Sequence, residues 1–255
     1  QLLTQTDPQT PCGELLRRYW QPVALSEELP KDGAPLKVKI LGEELVLFRD
    51  EQGGLGLIGL HCSHRGTDLS YGRIEDGGLR CLYHGWLYDV CGRILDQPGE
   101  PGGGANKNEI RHRAHPCQEA GGVIFTYMGP GDPPLLPNYE FLTVPGEYRT
   151  VTKIFETCNY LQGNEGNIDP VHLSFLHQCL DEAQIARRRT VPGSNATDNK
   201  LLAEDIAPTI EVEITDYGLR IYTLRGAGRD KRYLRVTNFV MPNLSVFCGS
   251  SVGQG

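Results

Sequence analysis

His61-Cys62-Ser63-His64-Arg65-Gly66 and Cys81-Leu82-Tyr83-His84-Gly85-Trp86, with sixteen residues between His64 and Cys81, decide how this chain is read. In each, a Cys is followed closely by a His and then a Gly: Cys62, His64 and Gly66 in the first, Cys81, His84 and Gly85 in the second. Together they offer two thiolates and two imidazoles. Gly66 and Gly85 suit loops that close tightly over a bound group, because glycine alone enters left-handed backbone at no steric cost.

Two Cys and two His match a Rieske [2Fe–2S] centre, in which two His replace two Cys on one iron. The rival reading is a Cys2His2 zinc site, which uses the same donor types. Common zinc spacings collect the cysteines in one cluster and the histidines in another. Here each cluster mixes them, which favours the Rieske centre. Such a centre is a one-electron carrier, so the chemistry needs a second site.

With 32 acidic and 25 basic side chains the net charge is −7, and no basic block is present. A nucleic-acid partner is not expected. No apolar run approaches the ~18 residues of a membrane span. Gln1 to Thr10 is polar and has no signal-peptide core, so a cytoplasmic protein with no membrane association is expected. Beyond the two cluster cysteines, Cys12, Cys91, Cys117, Cys158, Cys179 and Cys248 are scattered. They read as reduced, mostly buried thiols.

At 255 residues the chain is long enough for two domains. Lys37 to Ile40, Glu44 to Arg49, Leu55 to Leu60 and Gly121 to Met128 read as short strands between Gly and Pro turns. They predict an all-β domain over residues 1–150. Gly102-Gly103-Gly104 lacks a phosphate-loop signature and reads as a flexible loop. Over residues 151–255 the pattern changes. Thr157 to His177 reads as helical or helix-turn-helix, and Asp181 to Pro208 as a mobile polar segment containing the sequon Asn195-Ala196-Thr197. Thr209 to Thr215, Leu219 to Leu224 and Tyr233 to Val240 read as strands. The expected fold class is α+β: an all-β N-terminal domain, then a domain with an antiparallel sheet and packed helices.

The second informative stretch is Glu165-Gly166-Asn167-Ile168-Asp169-Pro170-Val171-His172-Leu173-Ser174-Phe175-Leu176-His177. Two His and a carboxylate suit a mononuclear iron with open coordination positions. Asp169-Pro170 equally reads as a capped helix start, with Asp as N-cap and Pro at the first helical position. In a regular helix, residues five apart are rotated about 140° from each other. His172 and His177 would therefore need local unwinding to meet one metal.

The two cluster loops resemble those of Rieske non-haem iron oxygenases. They resemble the respiratory Rieske proteins less, since Thr67, Tyr83 and Trp86 stand where those carry an extra Cys in each loop and a Ser. Fewer donors to the sulfurs imply a low potential. Asp169-x2-His172-x4-His177 resembles the iron motif of the same family. Pro11-Cys12-Gly13-Glu14-Leu15-Leu16-Arg17-Arg18-Tyr19-Trp20-Gln21-Pro22 resembles the opening of its phthalate-dioxygenase and aromatic O-demethylase branch. The resemblance implies that Cys62 and Cys81 bind one iron of the cluster and His64 and His84 the other. It implies that His172 and His177 hold a mononuclear Fe(II), and that Asp169 bridges electron transfer between neighbouring subunits. Glu165 would lie just outside that site.

The implied protein is the α (terminal oxygenase) subunit, a homotrimer. It takes electrons from NAD(P)H through a reductase or ferredoxin and uses O2 to hydroxylate or O-demethylate an aromatic substrate. The family's third iron ligand is a downstream Asp, and none of Asp181, Asp198, Asp205, Asp216 or Asp230 fits it. A chain truncated before that ligand is therefore expected. Arg17, Arg65 and Arg187 to Arg189 read as ion-pairing or surface residues. The alternative function is a Rieske electron-transfer protein without an oxygen-activating site.

Overall fold

The computed structural model describes residues 2–177 and 201–254. The chain forms two compact units, Gln1–Glu156 and Thr157–Gly255.

In the first unit, β2 (Leu36–Ile40), β3 (Glu43–Arg49), β4 (Leu55–Gly59) and β9 (Ala114–His115) form an antiparallel sheet in that order. The apolar run of β3 explains its position. Leu45, Val46, Leu47 and Phe48 are all at 0% exposure, so both faces of the strand are covered. Side chains alternate across a strand. Val46 and Phe48 therefore enter one core with Ile58, Cys62, Cys81, Trp86 and Tyr88. Leu45 and Leu47 enter another with Val23, Leu57 and Ile124. Each such side chain contributes about 1.5–3 kcal/mol by leaving water. The first core is the floor beneath the two Cys/His loops.

A second antiparallel sheet of β5 (Arg73–Glu75), β6 (Gly78–Arg80), β7 (Leu87–Tyr88) and β8 (Ile94–Asp96) carries the second loop between β6 and β7. A third joins β1 (Gln21–Leu25), β11 (Val123–Thr126) and β10 (Cys117–Ala120) in the order β1-β11-β10. Ahead of them, α1 (Pro11–Arg17) starts on Thr10, whose side chain accepts from the Gly13 N–H. Arg17 is buried and donates to Glu43 at 2.9 Å and to the carbonyls of Thr6 and Leu41. A short helix, α2 (Glu140–Thr143), follows the third sheet. The glycine stretch at 102–104 is not shapeless: Pro101–Gly103 makes a 3-10 turn and Gly104 is left-handed.

In the second unit, β12 (Thr209–Thr215), β13 (Gly218–Gly226), β14 (Lys231–Val240) and β15 (Leu244–Gln254) form an antiparallel meander. Of the two readings of Thr157–His177, the broken one is nearer: one α-helix covers only part of the region. It is α3 (Tyr160–Ile168), capped by the Asn159 side chain, and Asp169 is its C-cap. The reading of Asp169 as the N-cap of an α-helix is therefore corrected. Pro170 explains the break, because it has no N–H to continue the ladder and pushes the residue before it into extended backbone. Only a 3-10 turn, His172–Ser174, follows. Most of the segment Asp181 to Pro208, with Asn195, lies outside the described residues, but residues 201–204 are helical, with Leu201 and Leu202 buried.

The expectation of mostly buried spare thiols is also corrected. Cys12 is buried and Cys117 partly so, whereas Cys91 and Cys158 are exposed. Among the described residues no helix is long and apolar enough to cross a membrane.

Candidate metal centres

The two Cys/His loops share one backbone design. In the first, the Cys62 N–H donates to Thr67 O at 2.9 Å and the Gly66 N–H to Cys62 O at 2.8 Å. In the second, the Cys81 N–H donates to Trp86 O at 2.8 Å and the Gly85 N–H to Cys81 O at 3.1 Å. Gly66 and Gly85 have φ of 71° and 77°. At Gly85 a side chain is doubly excluded, since a Cβ would sit 2.8 Å from Pro98 Cγ.

These loops bring the four predicted ligands together. Cys62 and Cys81 are buried, at 4% and 2% exposure, and their thiols interact. The His64 and His84 rings meet edge to face with centroids 4.5 Å apart. His64 stacks on Trp86 at 5.0 Å, and Tyr83 lies over His84 at 3.8 Å. The site is thus a thiol pair beside an imidazole pair. Among the described residues no group of three or more His, Cys, Asp and Glu is arranged to hold a single metal ion. Two thiols beside two imidazoles suit two irons of unlike ligation.

The donor set fits a [2Fe–2S] cluster on a further observation. His64 Nε2 faces Glu100 at 3.7 Å and Arg65 at 3.4 Å, whereas its buried Nδ1 has no hydrogen-bond partner. Buried polar atoms are rarely left unpaired, so this nitrogen is the one offered to a metal. Burial pushes the Cys62 thiol up, and the hydrogen bond from Tyr88 works against that rise.

Tyr88 is a site residue that the sequence reading missed. Its hydroxyl lies 3.0 Å from Cys62 Sγ and accepts the Ser63 N–H at 3.1 Å. Burial pushes its own ionisation far up, and Cys62 adds to the effect, so it stays a neutral donor. In sequence, nothing about Leu87-Tyr88 beyond its place after the second loop marks it. His112 was also missed: its ring leans on Tyr88 at 4.6 Å and its Nδ1 is 2.7 Å from Ser63 Oγ. No motif around it in the sequence marks it as part of the site.

In the second unit the 3-10 turn brings His172 and His177 together, with ring centroids 5.0 Å apart. The Asp169 carboxylate accepts from the Val171 N–H at 2.7 Å and the His172 N–H at 3.4 Å. Its Oδ2 also lies 3.4 Å from His172 Nδ1, an ion-pair distance. Glu165 is exposed and takes a hydrogen bond from Gln162 at 3.3 Å. The turn is tethered from behind by Arg225, which is fully buried and donates to Pro170 O at 2.8 Å and to the Asp205 carbonyl. Asp205 itself accepts from the Gly226 and Ala207 N–H groups. Asp181, Asp198 and Arg187 to Arg189 lie outside the described residues.

The fold and the first site define a Rieske-type iron–sulfur protein, and the family comparison agrees. The Rieske [2Fe-2S] domain model matches residues 19–120, and the model described as LigXa C-terminal domain like matches residues 126–251. The chain is 38% identical over 253 residues to a phthalate 4,5-dioxygenase oxygenase subunit from Pseudomonas putida, covering 94% of this chain and 55% of that one. It is 40% identical over 178 residues to a 5,5'-dehydrodivanillate O-demethylase oxygenase subunit from Sphingobium sp. (strain NBRC 103272 / SYK-6), covering 69% and 42%. A carbazole 1,9a-dioxygenase oxygenase, solved in complex with ferredoxin, shares the fold with a TM-score of 0.55 and 22% identity over 93% of this chain and 71% of that one. The chain belongs to the Rieske non-haem iron oxygenase α-subunits, in the branch of phthalate dioxygenases and aromatic O-demethylases. It spans about half the length of the curated relatives it matches.

Proposed function

We propose that this chain acts in the terminal oxygenase component of a multicomponent Rieske oxygenase, which hydroxylates or O-demethylates an aromatic substrate with O2. The observation that carries the proposal is the presence in one chain of two donor sets. One is the paired thiols and imidazoles of Cys62, Cys81, His64 and His84; the other is the His172–His177 pair beside Asp169. A carrier alone has no use for the second set. The names of the phthalate and dehydrodivanillate relatives support an aromatic substrate.

Cys62 and Cys81 would hold one iron of the cluster, and His64 and His84 the other, with His64 using its buried Nδ1. His172 and His177 would hold a mononuclear Fe(II). When bound, the cluster supplies single electrons and the mononuclear iron a site for O2 activation. Asp169 accepts from the Val171 and His172 N–H groups and so shapes the turn that presents His172, the kind of support a carboxylate beside a ligating His gives. In a homotrimer Asp169 would also join one subunit's His pair to the Rieske His of the next. Electrons would come from NAD(P)H through a reductase or ferredoxin, the partner class seen with the carbazole enzyme.

The test is metal content, reduced-state EPR, and O2 uptake with a donor protein and a panel of aromatic acids and methoxy-aromatics. About three irons and two labile sulfides per chain, with product formed as O2 is consumed, are expected. Two irons, two sulfides and no O2 uptake would overturn the oxygenase reading in favour of an electron carrier.

A further inference from the structure

We propose that His112 is a positioning residue for the [2Fe–2S] site, setting its reduction potential through Ser63 and Tyr88; this rests on the Rieske reading of Cys62, His64, Cys81 and His84. His112 is 5% exposed and lies 49 residues beyond Ser63. Its Nε2 is 2.8 Å from Gly59 O. A carbonyl can only accept, so Nε2 carries the hydrogen. Burial lowers the pKa of the ring, the Gly59 bond opposes that, and the Arg113 charge lowers it further. The ring is therefore neutral at pH 7 and its Nδ1 accepts from the Ser63 hydroxyl at 2.7 Å.

The polarity of the whole network follows. With its side chain held by His112, Ser63 points its backbone N–H at the Tyr88 oxygen, 3.1 Å away. That oxygen is then an acceptor towards Ser63, which leaves the Tyr88 hydrogen for Cys62 Sγ at 3.0 Å. A thiolate ligand can only accept it. His112 also supports the tyrosine directly, through the ring contact at 4.6 Å. The ring has little room to move. Its backbone N–H donates to Gly92 O at 3.0 Å, and a Cβ at Gly59 would lie only 3.2 Å from Nε2.

A hydrogen bond to a cluster sulfur stabilises the more electron-rich reduced state and raises the potential. Loss of His112 should loosen that bond and lower the potential. The experiment is redox titration of the purified full chain, followed by visible absorption and EPR, for wild type, His112→Leu, Ser63→Ala, Tyr88→Phe and each of the first two combined with Tyr88→Phe. Iron and sulfide are counted first; a wild-type chain without a Rieske signal would sink the underlying reading. With the cluster present, His112→Leu should disfavour reduction roughly threefold, about 28 mV at 59 mV per tenfold for one electron. Ser63→Ala should shift it in the same direction, and it decides the matter if His112→Leu fails to keep its cluster. Neither change should add a shift in the Tyr88→Phe background. An intact cluster with unmoved potential, or a shift that persists without the tyrosine hydroxyl, would overturn the role of His112.

Discussion

Arg225 Nη2 donates to the backbone carbonyl of Pro170 at 2.8 Å from a side chain with no exposed surface. The bond spans 55 residues and ties β13 to the turn that follows Asp169. Burial lowers the pKa of this guanidinium, and the charge of Asp205 works against the fall. A buried cation whose hydrogen bonds go to backbone carbonyls fixes where the chain must run.

Arg225→Ala removes that tether. Hydrogen bonds to charged groups contribute about 1.5–3 kcal/mol each, so the turn carrying His172 should loosen. The expected result is loss of mononuclear iron while the Rieske spectrum stays, read as iron per labile sulfide. Retention of all iron would show that the turn holds its shape without Arg225.

Tyr88→Phe deletes the one hydroxyl within reach of Cys62 Sγ among the described residues. The cluster should still assemble, since the ring and its packing remain. The reduction potential should fall by roughly 60 mV, about a tenfold change for one electron. Protein-film voltammetry at pH 7 measures it directly.

His84→Ala removes half of the imidazole pair and should abolish the Rieske spectrum. An unchanged spectrum would remove His84 from the ligand set.

Asp169→Asn separates charge from structure. The amide oxygen can still accept from the Val171 N–H, so the turn should survive with both metals bound. Loss of the carboxylate behind His172 should cut turnover about 10–100-fold. Full turnover with normal metal content would exclude Asp169 from the electron path.

Glu43 links acid stability to a buried ion pair. Burial raises its pKa, but the Arg17 hydrogen bond and the charges of Arg113, His115 and Arg17 outweigh that, and the net shift is downward. A carboxylate with a lowered folded pKa adds stability above its unfolded value, near 4.5. That stability is lost as pH falls through the folded value. Glu43→Gln leaves the Arg17 charge without its partner and should cost about 3–5 kcal/mol at pH 7. In urea unfolding the difference from wild type should shrink below pH 4.5.

The sequence by itself determined the features that lie close together along the chain. The Cys62–His64 and Cys81–His84 spacings, with Gly66 and Gly85 behind them, are local patterns dictated by loop geometry and donor chemistry. The apolar run in β3 marked a strand, its cover on both faces emerging only in the fold, and the alternation of β12 with the strand-like runs of β13 and β14 marked the second sheet. The proximity of His172 and His177 needed the tertiary structure, because a five-residue spacing on a regular helix would part them. Pro170 was in plain view, but its effect was misassigned, since Asp-Pro can open a helix as readily as it closes one. Tyr88, His112 and Arg225 left no local signal at all. Their partners lie 26, 49 and 55 residues away, and a hydrogen bond across such a distance imposes no periodicity on the residues between. Only the packing of strands β4 and β7 and the 112 loop against one core brings Tyr88 and His112 to the Cys62 sulfur, and Arg225 reaches Pro170 only through the folding of the second unit.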